Sequence, residues 1–162
     1  MEYRILIVGS GSREHAIARS INKTQIDHQI FCIASNKNPG IMNICDELIL
    51  GDIENVDFIV ENAIQKECNL AIIGPENPLF KGVVDRLKEN NIPSIGPTQD
   101  LAQIETSKSF ARDLMKEYNN DGLPIYQSFT TMNGVKECLA THGENYVLKY
   151  DGFAGGKGVK VS

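Results

Sequence analysis

Short apolar runs alternate with stretches of helical periodicity along the first 96 residues of the chain. The run 4–8 has the length of a buried strand and enters the turn Gly9-Ser10-Gly11, whereas 55–66 repeats apolar side chains every three or four positions. Strands that alternate with helices through short turns predict right-handed βαβ units, and therefore an α/β fold with a small, doubly wound parallel sheet. The predicted strands are 4–8, 29–34, 47–50, 70–73 and 93–95, and the predicted helices are 13–21, 55–66 and a stretch around 83–87.

The order of predicted elements changes after Gly96, where consecutive helices replace the alternation of strands and helices. A polar break follows at 119–124. We therefore expect a Rossmann-like N-terminal domain over 1–100, a helical linker over 101–123 and an incomplete α+β segment over 124–162. The last predicted strand has no following residues to cover its edge, which indicates that the second domain is cut. The predicted elements here are helices at 100–104, 108–118 and roughly 133–141, and strands at 125–129, 146–150 and 159–161; residues 35–40 and 74–78 are predicted loops.

Composition and charge narrow the class of protein. With 41% hydrophobic and 23% charged residues among 162, the chain has the composition of a soluble globular protein. A formal net charge of -5 argues against a nucleic-acid partner, since phosphate contacts need a basic face. No stretch approaches the roughly 20 apolar residues of a membrane span. The four cysteines form no C-x-x-C pair, so we expect reduced thiols in a cytoplasmic protein, with Cys32 in the core.

The first glycine turn, residues 9–14, follows a predicted strand and opens a predicted helix. Free amide groups and the helix dipole at such a turn favour a phosphate or another anion. The full dinucleotide fingerprint is absent, because Glu14 replaces the third glycine and Ser35-Asn36 replaces the expected acidic residue. A ligand site and a plain turn between strand and helix are equally compatible with this segment, and NAD binding is disfavoured.

Two further segments hold charged side chains beside the ends of predicted elements. Glu76 lies in a stiff predicted loop, 74–78, which could present its carboxylate to a ribose hydroxyl or an amine. A solvated loop that caps the next helix explains the same residues slightly better. Lys108 falls in the first turn of a predicted helix that Thr106 or Ser107 can cap, an unfavourable place for a cation unless an anion binds nearby. An exposed surface lysine is the simpler alternative.

The segment 149–158 is the most informative part of the chain, because four glycines and two lysines lie between two predicted strands. Such a loop can bring backbone amides and an ammonium group against phosphates. It is not a Walker A loop, which would need glycine at Asp151, Ser or Thr at Gly158, and a helix afterwards. A flexible turn would not need Lys149 in the strand and Lys157 at the tip, so the sequence favours a phosphate-binding loop within a hairpin.

Taken in order, these motifs resemble the phosphoribosylamine–glycine ligase family of ATP-grasp enzymes. Two positions depart from the usual family pattern: Ser12 stands where glycine is common, and Tyr150 replaces a small residue beside the lysine. The resemblance implies a pre-ATP-grasp domain followed by an ATP-grasp module. It also implies a purine-biosynthetic reaction in which ATP, glycine and 5-phosphoribosylamine give glycinamide ribonucleotide, ADP and phosphate through a glycyl phosphate. The matching segments are 9–16, 74–79, 81–85, 96–98, 107–108 and 149–159.

The resemblance implies two sets of site residues, and no catalytic residue in this stretch beyond the lysines at the ATP phosphates. The implied cofactors are ATP and Mg²⁺ or Mn²⁺, whose ligands are expected beyond residue 162, so these residues alone are expected to be inactive. Another ATP-grasp ligase or carboxylase and a non-catalytic Rossmann-like nucleotide-binding module are the alternatives. The implied ATP contacts are Lys108, Lys149, Gly155, Gly156, Lys157 and Gly158, and the implied substrate contacts are Gly9, Gly11, Arg13, Glu14, Gly74, Pro75 and Glu76.

Overall fold

Five parallel strands form one sheet in the computed structural model of the chain, which describes residues 2–152 and 157–162. The strands pair in the order β3-β2-β1-β4-β5, so the chain builds outward on one side of β1 and then continues on its other side. This is the doubly wound parallel sheet that the alternation predicts, and the prediction is confirmed. The strands are β1 (Tyr3–Val8), β2 (His28–Ala34), β3 (Glu47–Leu50), β4 (Leu70–Ile73) and β5 (Ser94–Ile95).

Helices cover both faces of this sheet, because successive side chains of a buried strand point to opposite faces. Leu6 of β1 is fully buried on the face that α3 and α5 cover, and its neighbour Ile7 is fully buried on the face that α1 and α2 cover. Each such side chain stabilises the fold by about 1.5–3 kcal/mol. The helices are α1 (Ser12–Ile21), α2 (Pro39–Met42), α3 (Val56–Gln65), α4 (Glu76–Phe80), α5 (Val83–Glu89) and α6 (Gln99–Thr106).

Two segments predicted as loops contain short helices. The predicted loop 35–40 ends in α2, because Asn38 caps the helix by accepting hydrogen bonds from the amides of Gly40 and Ile41, and Pro39 suits a first helical position. The predicted loop 74–78 becomes α4 from Glu76 onward. Pro78 fits within the first turn of α4, where its missing N–H would have no helical partner. The prediction of irregular structure was therefore correct for 35–38 and 74–75, and wrong for 39–40 and 76–78.

The chain divides into two compact units between Ala102 and Gln103, inside α6, and the described residues of the second unit form the end of α6, two further helices and a hairpin. These elements are α7 (Lys108–Glu117), α8 (Val135–His142), β6 (Val147–Lys149) and β7 (Val159–Val161), with β6 and β7 antiparallel as predicted. The predicted strand 125–129 is wrong: no strand pairs with this segment in the described residues, and Ile125 is 86% exposed. The predicted domain limits at 100 and 123 stay a prediction.

The four cysteines are free thiols in the structure. Cys32 lies in the core, as predicted, and burial raises its pKa to about 12. Burial likewise raises the pKa of Cys68 to about 11, so both thiols are unreactive at neutral pH. Across residues 2–152 and 157–162, helices are too short or too polar to span a bilayer.

Candidate functional site

The glycine turn after β1 folds around the carboxylate of Glu14. This side chain is only 4% exposed, and its Oε2 atom accepts a hydrogen bond from the amide of Gly11 at 2.5 Å. Gly11 precedes the first residue of α1, so the carboxylate satisfies an amide that the helix leaves unpaired and offsets the positive end of the helix dipole. The anion that suits this turn is therefore supplied by the chain itself.

Three glycines leave the space that the Glu14 side chain occupies. A Cβ atom at Gly9 would lie 2.7 Å from Glu14 Cγ, and one at Gly11 would lie 2.9 Å from Glu14 Oε2. At Gly74 the approach is closest, since a Cβ atom there would lie 2.1 Å from Glu14 Oε1. Glycine is thus required here for close approach, and the cradle formed by Gly9, Gly11 and Gly74 is already filled.

An ion pair links the turn after β1 to the turn after β4. Arg13 Nη2 donates to Glu76 Oε1 at 2.9 Å, and Arg13 Nε lies 4.0 Å from Glu14 Oε1. Because parallel strands end at the same edge of the sheet, residues 63 positions apart in sequence meet at this point. An open cavity of about 320 Å³ adjoins it. Its lining includes Gly9, Gly11, Arg13, Glu14 and Pro75. The structure therefore brings together all seven residues of the predicted substrate set, because Gly74 and Glu76 contact Glu14 and Arg13 respectively.

The pKa of Glu76 lies below its ordinary value because its own backbone amide donates to the carboxylate at the start of α4 and because Arg13 adds a further hydrogen bond. We expect Arg13→Gln to raise this pKa without restoring the ordinary value, since the amide contact remains. A depressed carboxylate pKa contributes stability above the unfolded-state pKa, and that contribution disappears as pH falls through the folded-state value. The stability difference between Arg13→Gln and wild type should therefore shrink in acid.

A carboxyl-selective NMR titration of Glu76 measures this shift directly. Arg86→Gln is the matched control, because Arg86 pairs with Asp57 and Glu89 instead. A Glu76 pKa that is unchanged in Arg13→Gln would contradict the assignment.

Polar side chains that the sequence reasoning missed surround Ser10 of the same turn. Asn36 donates to Ser10 Oγ at 3.0 Å, Asn38 donates to the Ser10 carbonyl at 3.0 Å, and the Ser10 and Ser35 hydroxyls lie 3.3 Å apart. The signal was available, since Ser35 and Asn36 stand at the end of β2 where a dinucleotide-binding protein would have an acidic residue. They hold the glycine turn against β2.

In the second unit an open cleft of about 1360 Å³ lies among α7, α8 and the hairpin. Three lysines of the predicted ATP set line this cleft, at the start of α7, at the end of β6 and just before β7. They can supply ammonium groups to a polyphosphate chain. The predicted contacts Gly155 and Gly156 lie outside the described residues. The members that the structure brings together are Lys108, Lys149, Lys157 and Gly158.

The contacts at the start of α7 explain how a lysine is tolerated in the first turn of this helix. Ser107 caps the helix as predicted, by accepting a hydrogen bond from the amide of Phe110. The required anion is the carboxylate of Asp151, whose Oδ1 atom accepts from the Lys108 amide at 2.5 Å. The Lys108 ammonium turns to the carbonyl of Gly152 and donates to it at 3.0 Å. A bound phosphate is therefore not needed to explain a lysine at this helix start.

The described residues of the second unit suit ATP better than they suit a divalent cation. The lysines of the cleft suit the charge of a polyphosphate. In contrast, no three His, Cys, Asp or Glu side chains converge on one point within the described ranges. We therefore assign no metal ligand and derive no step through a metal here.

Comparison with known families accounts for nearly the whole chain. Residues 3–105 match the family described as phosphoribosylglycinamide synthetase, N domain, and residues 106–162 match the ATP-grasp (A) domain of the same synthetase. The phosphoribosylamine–glycine ligase of Thermococcus kodakarensis is 39% identical over 158 residues, 98% of this chain and 36% of that protein. The ligase of Methanobrevibacter smithii is 40% identical over 158 residues, 98% of this chain and 35% of that protein. The chain thus spans about a third of the length of these curated relatives.

Solved structures of ATP-grasp-type enzymes share the fold. The biotin carboxylase domain of the Hydrogenobacter thermophilus 2-oxoglutarate carboxylase superposes with a TM-score of 0.81 at 18% identity, over 98% of this chain and 37% of that one. The N5-carboxyaminoimidazole synthetase of Staphylococcus aureus, solved with ADP, superposes with a TM-score of 0.74 at 16% identity, over 95% of this chain and 41% of that one. Identities this low establish the fold alone, whereas the two domain matches cover residues 3–162 in order. The chain therefore belongs to the phosphoribosylglycinamide synthetase family.

Proposed function

We propose that the protein is an ATP-dependent ligase that joins glycine to 5-phosphoribosylamine and gives glycinamide ribonucleotide, ADP and phosphate. The observation that supports it best is the meeting of Arg13, Glu14 and Glu76, the charged residues of two family motifs, at one edge of the sheet. These residues lie far apart in sequence but meet at one place, and a plain turn between a strand and a helix does not require such a contact. The ligase names of relatives near 40% identity agree with this reaction.

In the first unit, the site receives the phosphoribosylamine. The carboxylate of Glu76 is kept ionised by its backbone amide and by Arg13, so it can accept hydrogen bonds from a ribose hydroxyl or an amine. Glu14 takes the amide of Gly11 and places a carboxylate within the glycine turn, which disfavours a second anion there. We therefore assign the ribose and amine end of the substrate, rather than its phosphate, to this cavity.

In the second unit, the lysines of the cleft contact the phosphates of ATP. ATP would supply the phosphoryl group that activates the glycine carboxylate. Lys108 and Lys149 lie at the ends of rigid elements, α7 and β6, and can hold that group by charge without contributing covalent chemistry. Lys157 and Gly158 line the same cleft.

We also propose the domain organisation, the metal and the cellular location of the protein. A pre-ATP-grasp domain over 1–100, a helical linker over 101–123 and the start of an ATP-grasp domain over 124–162 fit the elements described above. Mg²⁺ or Mn²⁺ is the proposed metal, with ligands beyond residue 162. We propose a cytoplasmic enzyme whose partners are its small-molecule substrates, without nucleic acid or membrane.

An ADP-release assay on the complete gene product tests the proposal. ADP should form only when ATP, glycine and phosphoribosylamine are all present. Turnover that depends on bicarbonate or formate instead would assign a different ATP-grasp ligase or carboxylase, and thermal stabilisation by NAD⁺ alone would assign a non-catalytic Rossmann-like module. Residues 1–162 on their own are expected to release no ADP.

Glu76→Ala should separate the two substrates. Loss of the carboxylate removes a hydrogen-bond acceptor from the phosphoribosylamine site, so we expect KM for that substrate to rise about tenfold while KM for ATP stays within twofold. Steady-state kinetics of the complete gene product measure both values. Glu61→Ala, which removes an exposed carboxylate of the same unit, is the control. An equal loss toward both substrates would contradict the assignment.

A further inference from the structure

The carboxylate of Asp151 makes a dense set of contacts with the first residues of α7. Its Oδ1 atom accepts hydrogen bonds from the amides of Lys108 at 2.5 Å and Ser109 at 3.3 Å. Its Oδ2 atom accepts from the hydroxyl of Ser109, and the hydroxyl of Ser107 lies 3.3 Å from both carboxylate oxygens. These partners lie 42 to 44 positions earlier in the sequence, so the contact joins distant segments of the second unit.

These contacts complete the hydrogen bonding of the helix start. The first four amides of an α-helix have no helical partner of their own unless a cap supplies one. Here Asp151 takes the amides of Lys108 and Ser109, the Ser107 hydroxyl takes the amide of Phe110, and the amide of Ser107 itself donates to the carbonyl of Gln103. None of the amides of residues 107–110 is left for a phosphate.

The side chain of Lys108 is anchored to the same place as its backbone. Its Nζ atom donates to the carbonyl of Gly152, the residue directly after Asp151. Asp151 itself stands two positions after Lys149, the last residue of β6. The pair Asp151-Gly152 therefore connects the helix that carries one lysine of the cleft to the strand that carries another.

The lysine ammonium binds the carbonyl directly after Asp151, a contact that a cap alone would not require. Although burial alone would raise it, hydrogen bonds from Ser109, Lys108 and Ser107 hold the pKa of Asp151 below its ordinary value. The carboxylate thus stays ionised at neutral pH and offsets the positive end of the helix dipole.

We propose that Asp151 is a positioning residue that fixes Lys108 beside Lys149 at the nucleotide-phosphate site, an inference that rests on the proposed function. Because Asp151 already occupies the amides of α7, the phosphates are met by lysine ammonium groups and not by the helix start. The ammonium of Lys108 exchanges the neutral carbonyl of Gly152 for a phosphate oxygen when the nucleotide binds.

Amide hydrogen exchange of the 162-residue chain tests the contact without any catalytic readout. Asp151→Asn keeps the size of the side chain but removes its charge, so the amides of Lys108 and Ser109 should exchange at least about tenfold faster. Asp121→Asn, which alters an exposed carboxylate of the same unit, should leave both rates unchanged. Unchanged exchange in Asp151→Asn would overturn the proposal.

Kinetics of the complete gene product test the positioning role. Asp151→Asn should raise KM for ATP about tenfold, with KM for glycine and phosphoribosylamine and the value of kcat kept within twofold. Asp151→Glu should recover part of the ATP affinity. Faster exchange of the Lys108 and Ser109 amides with an unchanged KM for ATP would show that Asp151 only caps α7, and would overturn the proposal. An equal loss toward all three substrates would overturn it as well. A wild-type protein without ATP-dependent turnover would overturn the proposed function itself, and this role with it, whatever the exchange rates are.

Discussion

Lys149→Ala is expected to lower kcat/KM for ATP by about 10²-fold in the complete gene product. The ammonium group of Lys149 lines the cleft of the second unit and makes no hydrogen bond or ion pair with the part of the chain that the structure describes. No such contact is lost in the variant. Under the proposed function, its removal takes a positive charge away from the phosphates of ATP at the point where negative charge develops. Loss of one preorganised charge of this kind costs about 10²–10³-fold in rate. Steady-state kinetics with varied ATP measure the effect.

Lys136→Ala is the matched control for this prediction. Lys136 is an exposed lysine of α8 in the same unit, and it is not among the residues that line the cleft. Lys136→Ala should leave kcat/KM within about twofold, and equal losses in both variants would show that overall charge, and not position, determines ATP use.

Gly74→Ala is expected to destabilise the first unit by about 3 kcal/mol, at the upper end of overpacking in a filled site. The new Cβ atom would lie 2.1 Å from Glu14 Oε1 and 2.5 Å from Glu14 Cδ. The Glu14 carboxylate cannot move away cheaply, because it is buried and bound to the amide of Gly11. Urea unfolding, followed by a signal from the first unit, measures the loss.

A double-mutant cycle identifies the cause of that loss. Glu14→Ala removes the side chain that the new methyl group would meet, so Gly74→Ala should cost about 1 kcal/mol or less in the Glu14→Ala background. Strong coupling would establish that the cradle is shaped for the Glu14 carboxylate. An equal cost in both backgrounds would mean that neighbours other than Glu14 make glycine necessary at position 74.

Local pattern was sufficient to predict the fold wherever burial repeats regularly. The apolar runs of β1, β2 and β4 fill both faces of the sheet, so their positions follow from composition and length alone. The hairpin of β6 and β7 also follows from two short runs around a glycine-rich segment. In contrast, α2 and α4 have four and five residues, too few for a helical period to be recognised, and their prolines read as breakers.

The site was predicted as a list of residues, but its internal contacts were not. Glu14 stands three positions after Gly11, the spacing at which an acidic side chain reaches back to the helix start, and this signal could have indicated the closed turn. No local signal joins Asp151 to Ser109, because the contact depends on how distant segments pack. The predicted strand 125–129 was wrong for the same reason, since strand propensity does not reveal whether a partner strand is present.

The central place of β1 has a consequence for the synthesis of the protein. Ile5 pairs with Ile30 on one side and with Leu70 on the other, so about 65 further residues must be synthesised before β1 gains its second neighbour. At about 5–20 residues per second this synthesis takes roughly 3–13 s. During that interval one edge of an apolar strand is unpaired and open to other chains. The nascent chain is therefore most exposed to aggregation before β4 emerges, and factors that shield early strands should matter more for its yield than those that act after release.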